Sequence, residues 1–462
     1  MFQKENKKYV QSFYNYSEMY EGNMILYSTK TGAVGIIDAD KVEIYNQALT
    51  FPNDKESDSI IVKQLVEQGF LVPENIDELE EIKNWHERAL KFPNYIQITL
   101  LPDERCNFNC PYCFLYTHRN LVMKQQTYDA IYKYIEKRCQ MIEGTIYLTL
   151  GWFGGEPLLA VEKIIEFMER IKDLKKKYPI VVTTNIITNG YLLTYDTFMR
   201  LYSAGVRGYQ VTIDGYPEIH NQLRLLKNGE PTYNKIYENL LEIAMKTKDT
   251  DMKFKFAIRV NFLKDNVNRL YDFVDKLLYD FGEHNCFKLY FRPIYYFETD
   301  RDDIKQILDK LCSKEEGINL QNDLEFKVMK TRGEIGDRRI ADPLPMPALS
   351  WCGTEWYNSF IIGADGSIFF CDTMADQRQA AGNISQEGEL VFKKGMEIWK
   401  GSVFEENDTL SECFSCKRFP ICLGGCRRNR IETGKAICFW SEEQIRKAMR
   451  EYVEIQLNQG NE

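Results

Sequence analysis

The stretch YIQITLLPDERCNFNCPYCF, residues 95–114, decides how the rest of the chain is read. Its first half is an apolar, β-branched run of strand length. Its second half places three thiols, Cys106, Cys110 and Cys113, on one short loop. Working outward, strand-like runs recur at 145–153 (TIYLTLGWF), 180–188 (IVVTTNIIT), 208–214 (GYQVTID), 254–262 (FKFAIRVNF) and 287–295 (FKLYFRPIY). Helical patterns lie between them; Tyr128, Ile131 and Ile135, for example, fall on one face. Such alternation implies a parallel sheet with right-handed crossovers, most simply an α/β partial barrel. Active groups in such folds gather at the C-terminal strand ends, which is where the thiols of the first loop stand.

The segments on either side read differently. Residues 22–37 form an expected hairpin around Thr-Lys-Thr-Gly. Helical stretches follow near 39–49 and 57–69, then a short strand at Phe70-Leu71-Val72 and a charged helix over 74–90. This is a small α+β unit with a winged-helix look. From about 345 the chain is Cys-rich, with short strands at 359–363 and 367–371 around an Asp-Gly turn and a last helix near 441–457. So few core residues imply a fold that depends on metal. The expected domains are 1–92, 93–310, a bridging region 311–345, and 346–462.

Bulk properties narrow the class. The 462 residues are 44% apolar and 27% charged, as in ordinary soluble proteins. No run of 18 apolar residues is present, and the polar start MFQKENKKYVQSF lacks a signal-peptide pattern. A cytoplasmic location is expected, where thiols stay reduced and open to metals. A net charge of −9 argues against a nucleic-acid surface, and no membrane partner is expected. The 28 Tyr and 27 Phe are read as core filling.

Three thiolates on one loop suit an iron–sulfur site with one iron free of protein ligands; zinc, which takes four ligands, stays open as a lesser alternative. CNFNCPYCF resembles the CxxxCxxC signature of radical S-adenosylmethionine (SAM) enzymes, including the aromatic Tyr112. WFGGEPLL (152–159) is similar to that superfamily's GGEP motif, and TNG (188–190), TIDG (212–215) with His220 and Arg224, and RVN (259–261) match its later strand-end elements. The resemblance implies a partial (β/α)6 barrel. It also implies a 4Fe–4S cluster on Cys106, Cys110 and Cys113, with SAM held by Tyr112, Gly154, Gly155, Glu156, Asn189, Asp214 and Arg224. Asn189 and Asp214 are implied near the ribose and Arg224 near the methionine carboxylate. The implied chemistry is reductive cleavage of SAM to a 5′-deoxyadenosyl radical that removes hydrogen from carbon.

The later cysteines, Cys352, Cys371, Cys413, Cys416, Cys422, Cys426 and Cys438, resemble the seven-cysteine SPASM signature, although the middle four alone could make a zinc ribbon. By that resemblance Cys413, Cys416, Cys422 and Cys438 hold an outer auxiliary 4Fe–4S cluster, and Cys352, Cys371 and Cys426 hold an inner one with one position open. Three clusters and SAM are thus the expected cofactors. Asp372 is the candidate catalytic base, weighed against a turn residue bonding its own backbone. Cys139, Cys286 and Cys312 are read as buried structural thiols; His86, His118 and His284 carry no constellation.

The 105 residues before Cys106 resemble the leader-recognition domain of maturases for ribosomally made peptides, which captures a leader by strand addition. The expected function is therefore a radical SAM/SPASM maturase acting on a precursor peptide, most simply by forming a cysteine thioether crosslink. The alternative is a formylglycine-forming dehydrogenase of the anaerobic sulfatase-maturase type. Expected partners are the precursor peptide with its leader and an electron donor such as flavodoxin or ferredoxin.

Overall fold

The computed structural model describes residues 8–115, 119–295, 305, 307–332, 344–375 and 379–459. His118, part of the bridging region and residues 296–304 lie outside them. Packing divides the chain into two compact units: Met1–Lys91, Gly333–Trp356 and Trp399–Glu462 form one, and Phe92–Arg332 with Tyr357–Ile398 the other. These units cut across the segments expected from the sequence, since the Cys-rich region is shared between them.

The first unit carries β1 (Tyr9–Gln11), β2 (Asn15–Tyr20), β3 (Asn23–Ser28), β4 (Val34–Ile37) and β5 (Leu71–Pro73). β2, β3 and β4 make a three-stranded antiparallel sheet, and β1 pairs separately with β5. The expected hairpin over 22–37 is β3–β4; β2 joins it through a tight turn at Glu21-Gly22, both at positive φ. Helices Val42–Thr50, Ser59–Glu67 and Glu78–Leu90 follow. The last two begin where Asp58 and Asp77 accept the first free backbone N–H groups. Tyr16, Ile25 and Tyr27 share a core with Ile421, Ile445, Met449 and Val453, so the N-terminal sheet is closed by the C-terminal helix Glu442–Gln459.

The second unit holds a ten-stranded sheet. Its first six strands, β6 (Tyr95–Asp103), β7 (Ile146–Gly154), β8 (Ile180–Thr188), β9 (Gly208–Thr212), β10 (Lys255–Phe262) and β11 (Phe287–Pro293), are parallel and neighbour one another in chain order. This is the expected partial barrel. β12 (Ser359–Ile362) lies parallel to β6, and β13 (Ser367–Phe369), β14 (Gly382–Ile384) and β15 (Leu390–Phe392) extend the sheet antiparallel.

The helix-facing side of the barrel is apolar. Ile96, Ile98, Leu100, Leu148, Leu150, Ile258 and Val260 are almost fully buried, each removing enough surface to contribute about 1.5–3 kcal/mol. Aromatics fill much of this layer, as expected: Phe198, Phe254, Phe256, Phe281 and Phe287 form one connected set of ring contacts. The opposite side, facing into the barrel, is more polar and partly exposed along β10 and β11. No helix among the described residues is long and apolar enough to cross a membrane.

Candidate functional site

The loop carrying Cys106, Cys110 and Cys113 leaves β6 and is tied down on two sides. Asn109 N–H bonds Leu225 O at 3.0 Å, Lys227 N–H bonds Asn107 O at 2.9 Å, and Phe108 bridges to Leu226. At the end of β7, Gly155 N–H bonds Asp103 O at 3.1 Å and Glu156 N–H bonds Arg105 O at 2.9 Å. The two glycines are demanded by this approach. A Cβ at Gly154, whose φ is +117°, would lie 2.7 Å from Asp103 O, and one at Gly155 would lie 2.2 Å from Arg105 O. WFGGEP thus acts first as a backbone clamp on the residues just before Cys106.

Glu156 is fully buried and spends its carboxylate within the fold. Oε1 accepts from Leu158 N–H at 3.0 Å and Thr188 Oγ1 at 2.6 Å; Oε2 accepts from Asn189 N–H at 2.8 Å. Burial pushes its pKa up, and these bonds pull it back. Asn189 in turn donates from Nδ2 to Asn107 Oδ1 at 2.8 Å, linking the end of β8 to the cysteine loop.

A second group centres on the Tyr112 hydroxyl. It donates to Asp214 Oδ2 and accepts from Arg224 Nη1 at 2.8 Å and Asn261 Nδ2 at 3.3 Å. Asn261 N–H also bonds Asp214 Oδ1 at 3.3 Å. Burial pushes the Asp214 carboxyl up, and Arg224 and Tyr112 offset this only in part. His220 is completely buried: Nδ1 accepts Asp214 N–H at 3.1 Å and Nε2 meets Thr232 Oγ1 at 3.0 Å. Burial holds its pKa well below the ordinary value, so it is a neutral prop for the backbone of Asp214. Thr232 Oγ1 meanwhile bonds Arg224 O.

Residues 100–276 match the Radical SAM superfamily. This is a radical SAM enzyme. The radical SAM chain is similar to the cysteine-type anaerobic sulfatase-maturating enzyme of Clostridium perfringens (strain 13 / Type A), 25% identical over 341 residues covering 70% of this chain and 86% of that one. It is also similar to the radical SAM cyclopropyl synthase TigE of Paramaledivibacter caminithermalis, 25% identical over 285 residues, 53% of this chain and 59% of that one. Among solved structures, native anSMEcpe with bound AdoMet and Kp18Cys peptide superposes with a TM-score of 0.55 at 19% identity, covering 80% of this chain and all of that one, a likeness of fold.

The residues of this radical SAM enzyme fit a SAM-binding cluster. All thirteen thiols are free of disulfides. The Cys106 thiol is pushed up to about 12 by burial, with Glu156 and Cys110 adding to the rise, so a thiolate there needs a positive partner such as iron. Arg224 supplies the fit for SAM. Its Nε is buried with no partner among the described residues, a donor held ready for an anionic ligand. Burial works against its charge, yet Tyr112, Cys110 and Asp214 outweigh it and keep the guanidinium protonated.

Six of the seven C-terminal cysteines of this radical SAM enzyme lie within the first unit. Burial pushes Cys422 up to about 12, and Cys413, Cys416 and Cys438 act on it in the same direction. Cys352 is raised by burial, with Glu355 and Cys426 adding to the effect. Cys371 belongs to the second unit, just past β13. Its Sγ lies 3.1 Å from Thr373 Oγ1 and 3.6 Å from Asp372 Oδ1, and Asp372 is exposed on a short 3-10 turn. Among the described residues no three His, Cys, Asp or Glu side chains close on a point as around a single metal ion.

Of the remaining thiols Cys139 is buried, as expected, but Cys286 and Cys312 are only half-buried, because strand ends and short turns leave one side open to solvent. Sequence reasoning assigned no role to Thr188 and Asn107, although both lie inside the motifs, nor to Thr232; the three complete the two hydrogen-bond groups. It also missed the buried ion network of the first unit, where Arg430 Nη2 lies 3.0 Å from Glu355 and its Nε 2.7 Å from Glu406.

Proposed function

We propose that this radical SAM enzyme modifies a peptide, using a 5′-deoxyadenosyl radical to remove hydrogen from carbon, and that the product is a crosslink, most simply a thioether from a peptide cysteine. Cys106, Cys110 and Cys113 would hold a 4Fe–4S cluster that, with SAM bound, supplies the one-electron cleavage that makes the radical. Arg224 would take the SAM carboxylate on its unpartnered Nε–H, with Tyr112 and Asp214 fixing the guanidinium. Cys413, Cys416, Cys422 and Cys438 would hold one auxiliary cluster and Cys352, Cys371 and Cys426 another. A flavodoxin or ferredoxin would deliver the electron.

The observation that carries the peptide reading is the N-terminal sheet. By the β3–β4 register, Val34 and Ile36 turn their N–H and C=O groups away from β3, and no strand among the described residues pairs with that side. The opposite edge is blocked: Lys417 Nζ bonds Asn15 O at 3.1 Å and Arg446 Nη1 bonds Ser17 O at 3.0 Å. One edge is therefore open to an added leader strand. Co-expression with the short open reading frames beside the gene tests this. A loss of about two hydrogens per crosslink, with no alkylatable thiol remaining, is expected; failure to modify any of these peptides would overturn it.

A second reading has support of its own. The Clostridium perfringens relative named as a cysteine-type anaerobic sulfatase-maturating enzyme matches 70% of this chain. On that reading Asp372 serves as base in oxidising a Ser or Cys to formylglycine. An aldehyde captured by hydrazide labelling of a co-expressed sulfatase would favour it over the crosslink.

A further inference from the structure

The inner face of the parallel sheet has a charge distribution that the chemistry above does not use. Register fixes which residues share that face: Gln97, Thr149 and Thr183 stand level on β6 to β8, and Thr212, Arg259 and Tyr290 on β9 to β11. Within the strands, up to the irregularity in β6, the positions in register here include no Asp or Glu. β10 and β11 instead place Lys255, Arg259, Lys288 and Arg292 on the face. These cations gather on one concave wall of a chain whose net charge is −9.

The two arginines are ordered. Tyr290 lies between them, its ring centre 4.1 Å from the Arg292 guanidinium carbon and 5.8 Å from that of Arg259. Arg259 donates from Nε to Asn261 Oδ1 at 2.8 Å, which leaves its two Nη atoms without a hydrogen bond among the described residues. Arg292 bonds Phe291 O at 3.0 Å through Nη1 and stands 3.6 Å from Glu325, too long for a tight pair. Its side chain is 31% exposed, so a carboxylate can reach it in a partly desolvated setting where a guanidinium fork binds strongly. Asn261 touches the Tyr112 hydroxyl, which places this pair beside the group assigned to SAM.

We infer that Arg259 and Arg292, braced by Tyr290, form a carboxylate subsite that selects a peptide with an Asp or Glu near the residue to be modified. This rests on the peptide reading above and adds a specificity to it. The test pans a displayed library of random cysteine-containing dodecapeptides on the reconstituted full-length enzyme with SAM bound, then repeats it with Arg292→Gln. Wild type should enrich peptides with Asp or Glu fixed at one position, and a selected peptide should bind at least tenfold more tightly than its Asn or Gln counterpart. That preference should fall to within twofold in Arg292→Gln, with SAM affinity unchanged. Enriched peptides without an acidic position would overturn the subsite and leave the peptide reading standing. Enrichment of nothing would overturn both, and a loss of SAM affinity in Arg292→Gln would reassign the arginine to SAM.

Discussion

Replacing Gly155 with alanine strikes the contact on which the site geometry rests. The new Cβ would fall 2.2 Å from Arg105 O and 2.5 Å from Glu104 O, where contacts under 3.0 Å essentially do not occur. Both obstacles are backbone, so the segment 104–105 must retreat by about 0.8 Å, and Cys106 is the next residue. Overpacking of this kind costs about 1–3 kcal/mol. A misplacement near 1 Å at a reacting centre lowers rates about 100-fold. The assay is 5′-deoxyadenosine formation from SAM with dithionite under anaerobic conditions, read with the iron content and melting temperature of the same sample. The expected result is a folded protein of lower iron content, melting a few degrees lower, whose SAM cleavage falls about 100-fold. Gly35→Ala, whose Cβ would meet nothing closer than 3.6 Å, should leave cleavage near wild type. Unchanged cleavage and iron content in Gly155→Ala would refute the clamp.

Other perturbations follow from the same contacts. Tyr112→Phe removes the hydroxyl shared by Asp214, Arg224 and Asn261, and should weaken SAM binding about tenfold by calorimetry, since hydrogen bonds to charged groups are worth about 1.5–3 kcal/mol. Arg430→Met strands Glu355, which is fully buried beside it, and should cost about 3–5 kcal/mol in urea unfolding. Burial already raises the Glu355 pKa, so that loss should be greater at pH 8 than at pH 5; adding Glu355→Gln should recover part of it. Glu325 is raised to about 7 by burial, outweighing Arg292. The folded state then binds its proton more tightly than the unfolded state, so its contribution to stability is present below the unfolded value near 4.5 and lost as pH rises through about 7. Glu325→Gln should flatten that part of the melting-temperature profile.

Much of the barrel was legible because each strand is a short apolar run closed by a motif, and runs of that kind leave few other folds open. The start and end of β8 were read to the residue, and β6 differs only by extending to Asp103. Long-range pairings were not legible. β2 went unread because its turn is Glu21-Gly22, without the Asn-Gly or Asp-Gly that marks a two-residue hairpin. The pairing of β12 with β6 joins residues more than 250 positions apart, and nothing local signals it. His86 looked idle in sequence, yet it is buried and bridges Leu349 O and Val403 N–H, two segments it meets only in the folded chain. At the site, motif positions were readable but their bonds were not: nothing in the sequence signals that the Glu156 carboxylate bonds Thr188 and the backbone of Leu158 and Asn189.

The most direct test follows the hydrogen. A candidate peptide from a neighbouring reading frame is made uniformly deuterated and incubated anaerobically with the reconstituted enzyme, unlabelled SAM and dithionite, and the 5′-deoxyadenosine formed is weighed by mass spectrometry. Transfer of one deuterium from peptide to 5′-deoxyadenosine, in step with modification of the peptide, is the predicted result. Unlabelled 5′-deoxyadenosine beside a peptide that is nonetheless modified would contradict the account.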